Sequence, residues 1–268
     1  MRFSQVDVFS ATPYRGNPVA VLLDADGLDD EQMQAVARWT NLSETTFLLE
    51  PTHPDADYRV RIFTPGGELP FAGHPTLGSA HAWLEHGGVA AEGDLVQECA
   101  AGLITVRRGD GRLSFAAPPT VRDGALAPAD VERIRDALGT EILDHQWVDN
   151  GPGWAVVELP DAAAVLALEP DFRACGDLKF GVLGRYPAGA ECDFEIRAFF
   201  DGFEDPVTGS LNASTAQWLY RTGKMDRDYV VSQGTRLGRE GRVRVSRDRE
   251  GSVWIGGDTA TCFTGTAR

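Results

Sequence analysis

An internal repeat is the feature that most constrains how this chain can fold. When the sequence is shifted by 136 positions, so that Arg61 lies over Arg197, residues 61–74 align with residues 197–210 and six of the fourteen pairs are identical. The identical residues are one arginine, one phenylalanine, two glycines, one glutamate and one proline. Since the offset is about half of the 268 residues, the repeat predicts a duplication. We expect two lobes with the same plan of strand, Gly/Pro turn and helix.

Hydrophobic patterning predicts an α+β fold in both halves. Alternating or β-branched runs predict strands at residues 3–9, 19–23, 58–63, 104–106, 113–116, 154–158, 194–200, 229–232, 243–246 and 253–255. Helical patterns lie at residues 29–40, 76–86, 129–138 and 212–222. The Pro118-Pro119-Thr120 segment is the clearest linker. It predicts an N-terminal lobe of residues 1–117 and a C-terminal lobe of residues 118–268, and leaves open whether the final strand crosses back to the first lobe.

The composition argues against several classes of protein. The net charge is −15 and the pI is about 4.7, which disfavours nucleic acid as a partner. No apolar run approaches the length of a membrane span, and the N-terminus does not resemble a signal peptide. The four cysteines form no Cys-x-x-Cys pair, which is typical of reduced thiols. These features predict a cytoplasmic protein that does not bind membranes.

The repeat also predicts how an acidic protein could bind an acidic substrate. In each copy a glycine is followed by a residue that can cap a helix, namely His74 before Pro75 in the first copy and Ser210 in the second. Helix N-termini bind anions through unpaired N–H groups and the helix dipole. If the lobes face each other, two such termini would hold a carboxylate or an oxyanion in one cleft without a lysine or an arginine.

Three side chains near these helices are candidates for chemistry. Glu44 precedes a strand rich in threonine and apolar residues, and it is either an acid/base group or a capping residue at a loop. Asp205 replaces Leu69 of the first copy, and His74 replaces Ser210 of the second. Differences between the copies are expected where a duplicated scaffold acquires chemistry. The alternatives are a turn-initiating aspartate and a structural histidine.

Other chemistries have weaker support in the sequence. His74 and His81 are seven residues apart, but no Asp, Glu or Cys completes a recognisable set of metal ligands. The sequence contains no Walker loop, no Gly-x-Gly-x-x-Gly at the start of a βαβ unit and no Gly-x-Ser-x-Gly elbow. Nucleotide, dinucleotide and α/β-hydrolase chemistry are therefore disfavoured.

Five motifs, spread over nearly the whole chain, together resemble the PhzF-like family, which is named for the isomerase of phenazine biosynthesis. They are Gly16-Asn17-Pro18-Val19-Ala20-Val21, Leu42-Ser43-Glu44-Thr45, Phe71-Ala72-Gly73-His74-Pro75-Thr76-Leu77-Gly78, Glu204-Asp205-Pro206-Val207-Thr208-Gly209-Ser210 and Ser232-Gln233-Gly234. The resemblance implies a diaminopimelate epimerase-like fold. This fold has two pseudo-symmetric lobes, each a strongly curved sheet around a central helix, with the active site between them.

The resemblance also implies roles for individual residues. Glu44 would be the general acid/base that moves a proton between carbon atoms. His74, Asp205 and Ser210 would position the substrate and assist. Three further residues would line the cleft: Asn17, Gly73 and Gly209. The family resemblance further implies a small anionic substrate, no cofactor or metal, and a homodimer.

Two departures from related proteins refine this prediction. Related epimerases in this fold use a cysteine at each helix start, whereas this chain has His74 and Ser210 there. A single carboxylate that removes and returns a proton on one face of a dihydro-3-hydroxyanthranilate-like substrate is therefore favoured over two-thiol inversion. Asn212 stands where many members have histidine, so the substrate pocket is expected to differ. A non-catalytic binder of an anionic metabolite and a thiol-independent epimerase remain alternatives.

Overall fold

The computed structural model describes residues 1–90 and 93–268, and it divides into two compact units. The first unit comprises Met1–Ala116 and Gly256–Arg268, and the second comprises Ala117–Ile255. The linker in the sequence predicts this boundary after residue 117, and the structure divides between residues 116 and 117. Each unit combines strands with helices, so the α+β prediction is confirmed.

The described residues of the first unit form eight strands and two helices before the chain enters the second unit. They are β1 (Arg2–Val8), β2 (Asn17–Leu23), α1 (Asp30–Thr40), β3 (Thr45–Leu49), β4 (Tyr58–Thr64), β5 (Gly67–Leu69), α2 (Gly73–Glu85), β6 (Leu95–Cys99), β7 (Gly102–Gly109) and β8 (Arg112–Ala116). Helix α1 begins as the sequence predicts, because Asp29 caps it and forms a capping box with Gln32.

The second unit begins with a short strand and contains four α-helices and a short 3-10 helix at Thr235–Leu237. Its elements are β9 (Arg122–Gly124), α3 (Pro128–Leu138), β10 (Asp144–Asp149), β11 (Trp154–Glu158), α4 (Ala162–Ala167), α5 (Phe172–Cys175), β12 (Lys179–Arg185), β13 (Phe194–Phe200), β14 (Phe203–Asp205), α6 (Gly209–Arg221), β15 (Tyr229–Gln233), β16 (Gly241–Arg247) and β17 (Val253–Gly257). The last strand, β18 (Thr259–Thr266), belongs to the first unit and pairs antiparallel with β1.

Strand pairing follows the same scheme in both units. In the first, β2 is parallel to β3, β3 and β5 flank β4 in antiparallel pairs, and β6 is parallel to β4 and antiparallel to β7. In the second, β11 to β16 repeat every one of these relations in the same order. The duplication predicted from the sequence is therefore present in the fold.

A repeated ion pair fixes the strand before each central helix. Arg61 of β4 binds Glu68 of β5 through two hydrogen bonds of 2.8 and 2.6 Å. Arg197 of β13 binds Glu204 of β14 in the same manner, at 3.0 and 2.7 Å. Both pairs are bidentate, which restrains the turn that leads into the helix. The second pair is the more buried one, with side chains 4% and 7% exposed against 18% and 34%.

Each unit encloses one long helix among its strands. Nine residues of α2 and ten of α6 are buried, which is unusual for helices of thirteen residues on a surface. Strands β1, β2, β3 and β8 pack on α2, and strands β10, β11 and β16 pack on α6. This is the predicted arrangement of a curved sheet around a central helix. Within the described residues, no helix is both long and apolar enough to cross a membrane.

Candidate functional site

Glu44 lies where the chain enters a buried strand of the first unit. It directly precedes β3, whose first two residues, Thr45 and Thr46, are fully buried. The Glu44 side chain itself is 15% exposed, and its Oε2 atom lies 3.5 Å from Nε2 of His74. A carboxyl group is thus held at low exposure beside the start of α2.

The ring of His74, the second residue of α2, contacts the backbone of a residue outside the helix. Its ring hydrogen-bonds the backbone of Pro18, and because proline has no N–H group, the ring donates and the carbonyl accepts. No atom of the described residues meets hydrogen-bond geometry at His74 Nε2. We assign the donor to Pro18 as Nδ1 and place the ring proton on that nitrogen.

The electrostatic state of His74 follows from its burial. The residue is 6% exposed, and this desolvation lowers the pKa of the imidazole to about 3. The ring is neutral at physiological pH, and its proton is assigned to Nδ1. The Nε2 lone pair then faces the Glu44 carboxyl group, so the contact joins a carboxyl to an acceptor and not to a charged histidine.

Two of the predicted cleft residues lie in the same unit. Asn17 is the first residue of β2, pairs with Val8 and is 1% exposed. Gly73 is the first residue of α2, and a Cβ atom added there would lie 2.3 Å from Cζ of Phe115. The glycine is therefore required by the close approach of an aromatic ring to the helix start.

The remaining predicted residues surround the start of α6 in the second unit. Asp205 ends β14 and is 6% exposed. The hydroxyl of Thr208 donates to Asp205 Oδ2 at 2.5 Å. Gly209 and Ser210 are the first two residues of α6. Since the first amides of a helix have no partner within it, this end presents N–H groups next to the Ser210 hydroxyl.

Ser210 is positioned by two residues that the sequence analysis did not single out. The indole Nε1 of Trp154 donates to Ser210 Oγ at 2.9 Å, and Nδ2 of Asn150 donates to the Ser210 carbonyl at 3.1 Å. An indole N–H only donates, so Oγ accepts there and keeps its own proton for another acceptor. The only sequence signal was a tryptophan at the start of a predicted strand.

The prediction that His74 and Ser210 cap their helices is wrong. The N-cap residues are Ala72 and Thr208, both with extended backbone, and neither makes a side-chain cap hydrogen bond. The glycines that follow them already have helical geometry, which moves His74 and Ser210 to the second helical position. Their side chains bond Pro18 and Trp154, respectively, and not the helix amides.

No thiol stands at either helix start. All four cysteines are free thiols and lie elsewhere: Cys99 in β6, Cys175 in α5, Cys192 in the loop before β13 and Cys262 in β18. Residues 1–90 and 93–268 also contain no group of three or more His, Cys, Asp or Glu side chains arranged to hold a metal ion.

Fold and site together define a class of protein. The duplicated curved sheets, each around a helix, form a diaminopimelate epimerase-like fold in which the helix starts carry His74 and Ser210. Comparison with known proteins then identifies the family. The family described as phenazine biosynthesis-like protein matches residues 6–265, so the chain belongs to it.

Individual relatives agree with this assignment. The chain is 38% identical to "antisense-enhancing sequence 1" of Schizosaccharomyces pombe, covering 98% of this chain and 97% of that protein. It is 35% identical to trans-2,3-dihydro-3-hydroxyanthranilate isomerase of Pseudomonas aeruginosa, covering 99% of both. A crystal structure of a PhzF-family protein from Enterococcus faecalis matches with a TM-score of 0.81 and 27% identity, covering 100% of this chain and 98% of that one. The chain is an enzyme of the isomerase class, with a small-molecule substrate.

Proposed function

We propose that the chain moves a proton between carbon atoms of a small carboxylated substrate, with Glu44 as the acid/base. The buried contact between Glu44 and a neutral His74 carries this proposal. The carboxylate removes the substrate proton. Once the carboxyl group holds that proton, Nε2 can accept a hydrogen bond from it. Glu44 and His74 can therefore hold the abstracted proton until it is returned to the substrate, and this step needs no cofactor.

The α6 start supports a role in binding the substrate. It offers helix amides and the Ser210 hydroxyl, whose proton is directed away from Trp154. These groups recognise an oxyanion without adding a cationic side chain, which suits a protein of net charge −15. We assign Asp205 and Ser210 to substrate positioning, with Asn17, Gly73 and Gly209 as lining residues.

The substrate is proposed from a relative. The Pseudomonas aeruginosa protein is named for trans-2,3-dihydro-3-hydroxyanthranilate, a small carboxylated compound. We infer that this chain acts on a molecule of that kind. Asn212 differs from the usual family residue and is 2% exposed, where it bonds the Thr208 carbonyl. We therefore expect Asn212 to affect substrate binding indirectly, by positioning the start of α6. A homodimer and a cytoplasmic location remain proposals from the resemblance.

Solvent deuterium exchange tests the proposed function. Purified protein is incubated with trans-2,3-dihydro-3-hydroxyanthranilate in D2O, and deuterium at carbon is followed by NMR. We expect exchange with the wild-type protein and its loss, by roughly 100-fold or more, in Glu44→Gln. Glu50→Gln, an exposed carboxyl at the other end of β3, is the matched control and should exchange at the wild-type rate.

The possible outcomes separate the proposal from its alternatives. Undiminished exchange in Glu44→Gln would contradict the role of this residue. Binding by the wild-type protein with neither deuterium exchange nor formation of an isomerised product would favour a non-catalytic binder. Inversion at a stereocentre, read by chiral chromatography of the product, would favour an epimerase.

A further inference from the structure

A buried amide joins the α6 start to the strand beside it. Gln233, the last residue of β15, is fully buried. Its Oε1 atom accepts from the Thr208 amide at 3.0 Å and from Asn212 Nδ2 at 2.8 Å. Its Nε2 atom donates to Thr208 Oγ1 at 2.9 Å and to the Asp205 carbonyl at 3.3 Å. One side chain thus contacts the N-cap residue of α6, the first turn of that helix and the last residue of β14.

The chemistry of these groups allows a single orientation of the Gln233 amide. A backbone N–H only donates, so the glutamine atom facing the Thr208 amide is the oxygen. Asn212 is fixed in the same way, because its Nδ2 atom also donates to the Thr208 carbonyl, which only accepts. The Gln233 nitrogen must then face Thr208 Oγ1.

This orientation determines where the Thr208 proton points. The Thr208 oxygen accepts from Gln233 Nε2, and its single proton is directed to Asp205 Oδ2. If Gln233 presented an acceptor instead, the hydroxyl proton would be drawn towards it and Asp205 would lose a donor. The order of donation is therefore Gln233 to Thr208 to Asp205, and its direction is set by the buried amide.

We propose that Gln233 is a positioning residue that acts through Thr208 to hold the Asp205 carboxyl group in its working orientation. This inference rests on the proposed function of Asp205. It extends that function to two residues that contact no reacting atom. Buried polar networks orient a side chain best when their members are satisfied, and the four bonds of Gln233 use both donors of its amide and both acceptor positions of its oxygen.

The decisive pair of variants is Thr208→Val and Thr208→Ser. Valine keeps the shape of threonine and removes the hydroxyl, whereas serine keeps the hydroxyl and removes a methyl group. The inference predicts a loss of roughly 10- to 100-fold in the deuterium-exchange kcat/KM for valine, the range expected for a hydrogen bond to a charged group. It predicts a change of less than about threefold for serine. A residue needed only for packing would give the opposite order.

A double-mutant cycle tests whether Gln233 acts through the same carboxyl. Gln233→Met removes the amide at similar length and should lower kcat/KM by a factor similar to Thr208→Val. In an Asp205→Asn background, neither change should cause more than about a twofold further loss, because the group they orient has been neutralised. Exchange of the Thr208 amide proton, measured by NMR, should be faster in Gln233→Met. Thr208→Val supplies the kinetic answer independently if Gln233→Met does not fold.

The outcomes distinguish this inference from the proposed function. Wild-type kcat/KM in Thr208→Val together with a large loss in Asp205→Asn overturns the inference and leaves the proposed function intact. Fully additive losses in the double variants also overturn it. If Asp205→Asn keeps the wild-type kcat/KM, Asp205 has no role in the reaction, and the inference about Gln233 is also overturned.

Discussion

The burial of a neutral histidine at the α2 start predicts a specific dependence of stability on pH. His74 has its pKa lowered to about 3 by desolvation, whereas an unfolded histidine titrates near 6.5. Between these values the unfolded chain binds more protons than the folded chain. The free energy of unfolding therefore falls as the pH falls through this window. The perturbation is His74→Asn, because asparagine keeps a donor where Nδ1 bonds the Pro18 backbone but does not titrate.

The size of the effect follows from the shift. At pH 5 the solution is about 1.5 units below the unfolded pKa, and each unit corresponds to about 1.4 kcal/mol. The side chain is 7% exposed, so solvent screening reduces this figure little. Wild-type protein should lose about 2 kcal/mol between pH 8 and pH 5 through His74 alone. The variant lacks this loss, so its stability deficit relative to wild type should shrink by about 2 kcal/mol.

Urea denaturation at pH 8, 6.5 and 5 measures this difference, and the other histidines cancel because both proteins contain them. Since Glu44 lies 3.5 Å from the ring, the comparison is repeated in a Glu44→Gln background to separate the two groups. The ¹⁵N shifts of His74 should independently report the neutral Nδ1–H form down to about pH 4. A stability deficit that stays constant within about 0.5 kcal/mol from pH 8 to pH 5 would refute the reasoning.

Two further pairs of substitutions test the packing of the duplicated plan. Glu204→Gln leaves a buried arginine without its carboxylate and should lower the free energy of unfolding by roughly 3–5 kcal/mol in urea denaturation. Glu68→Gln, at the more exposed copy, should lower it by about 1 kcal/mol or less. Equal losses in the two variants would contradict the burial argument. Gly73→Ala should cost about 1–3 kcal/mol because the new Cβ meets the Phe115 ring, and Gly67→Ala, with open space around it, should change the melting temperature little.

Local patterning predicted much of the secondary structure. Strands β11 and β13 have the predicted bounds, and α1 begins after its predicted aspartate cap. Strand β12 was missed because Gly181 and Gly184 indicate a loop in the sequence. In the fold these glycines are mid-strand, where an added Cβ would lie 2.6 Å from a Leu211 methyl carbon and 2.2 Å from the Asp161 carbonyl oxygen. They permit close packing of α6 and α4, which only the folded chain reveals.

The sequence predicts the candidate site residues that lie within recognised motifs, but not the role of the residues that orient them. Glu44 and His74 are thirty residues apart, and the family resemblance, not spacing, placed them together. Trp154 and Gln233 contact the α6 start from strands that are 56 and 25 residues away in sequence. Their partners are set by strand register and sheet curvature, which no local pattern encodes. The orienting residues of a site are therefore harder to predict than the residues they orient.

The return of β18 to β1 has a consequence for synthesis of the protein. Strand β1 pairs with β2 on one edge and with β18, residues 259–266, on the other. The second unit is one continuous stretch from residue 117 to 255, whereas the first unit also needs residues 256–268, which are synthesised last. The unit translated first is thus completed last. Until β18 is added, it carries an open strand edge that a chaperone or another nascent chain can pair with.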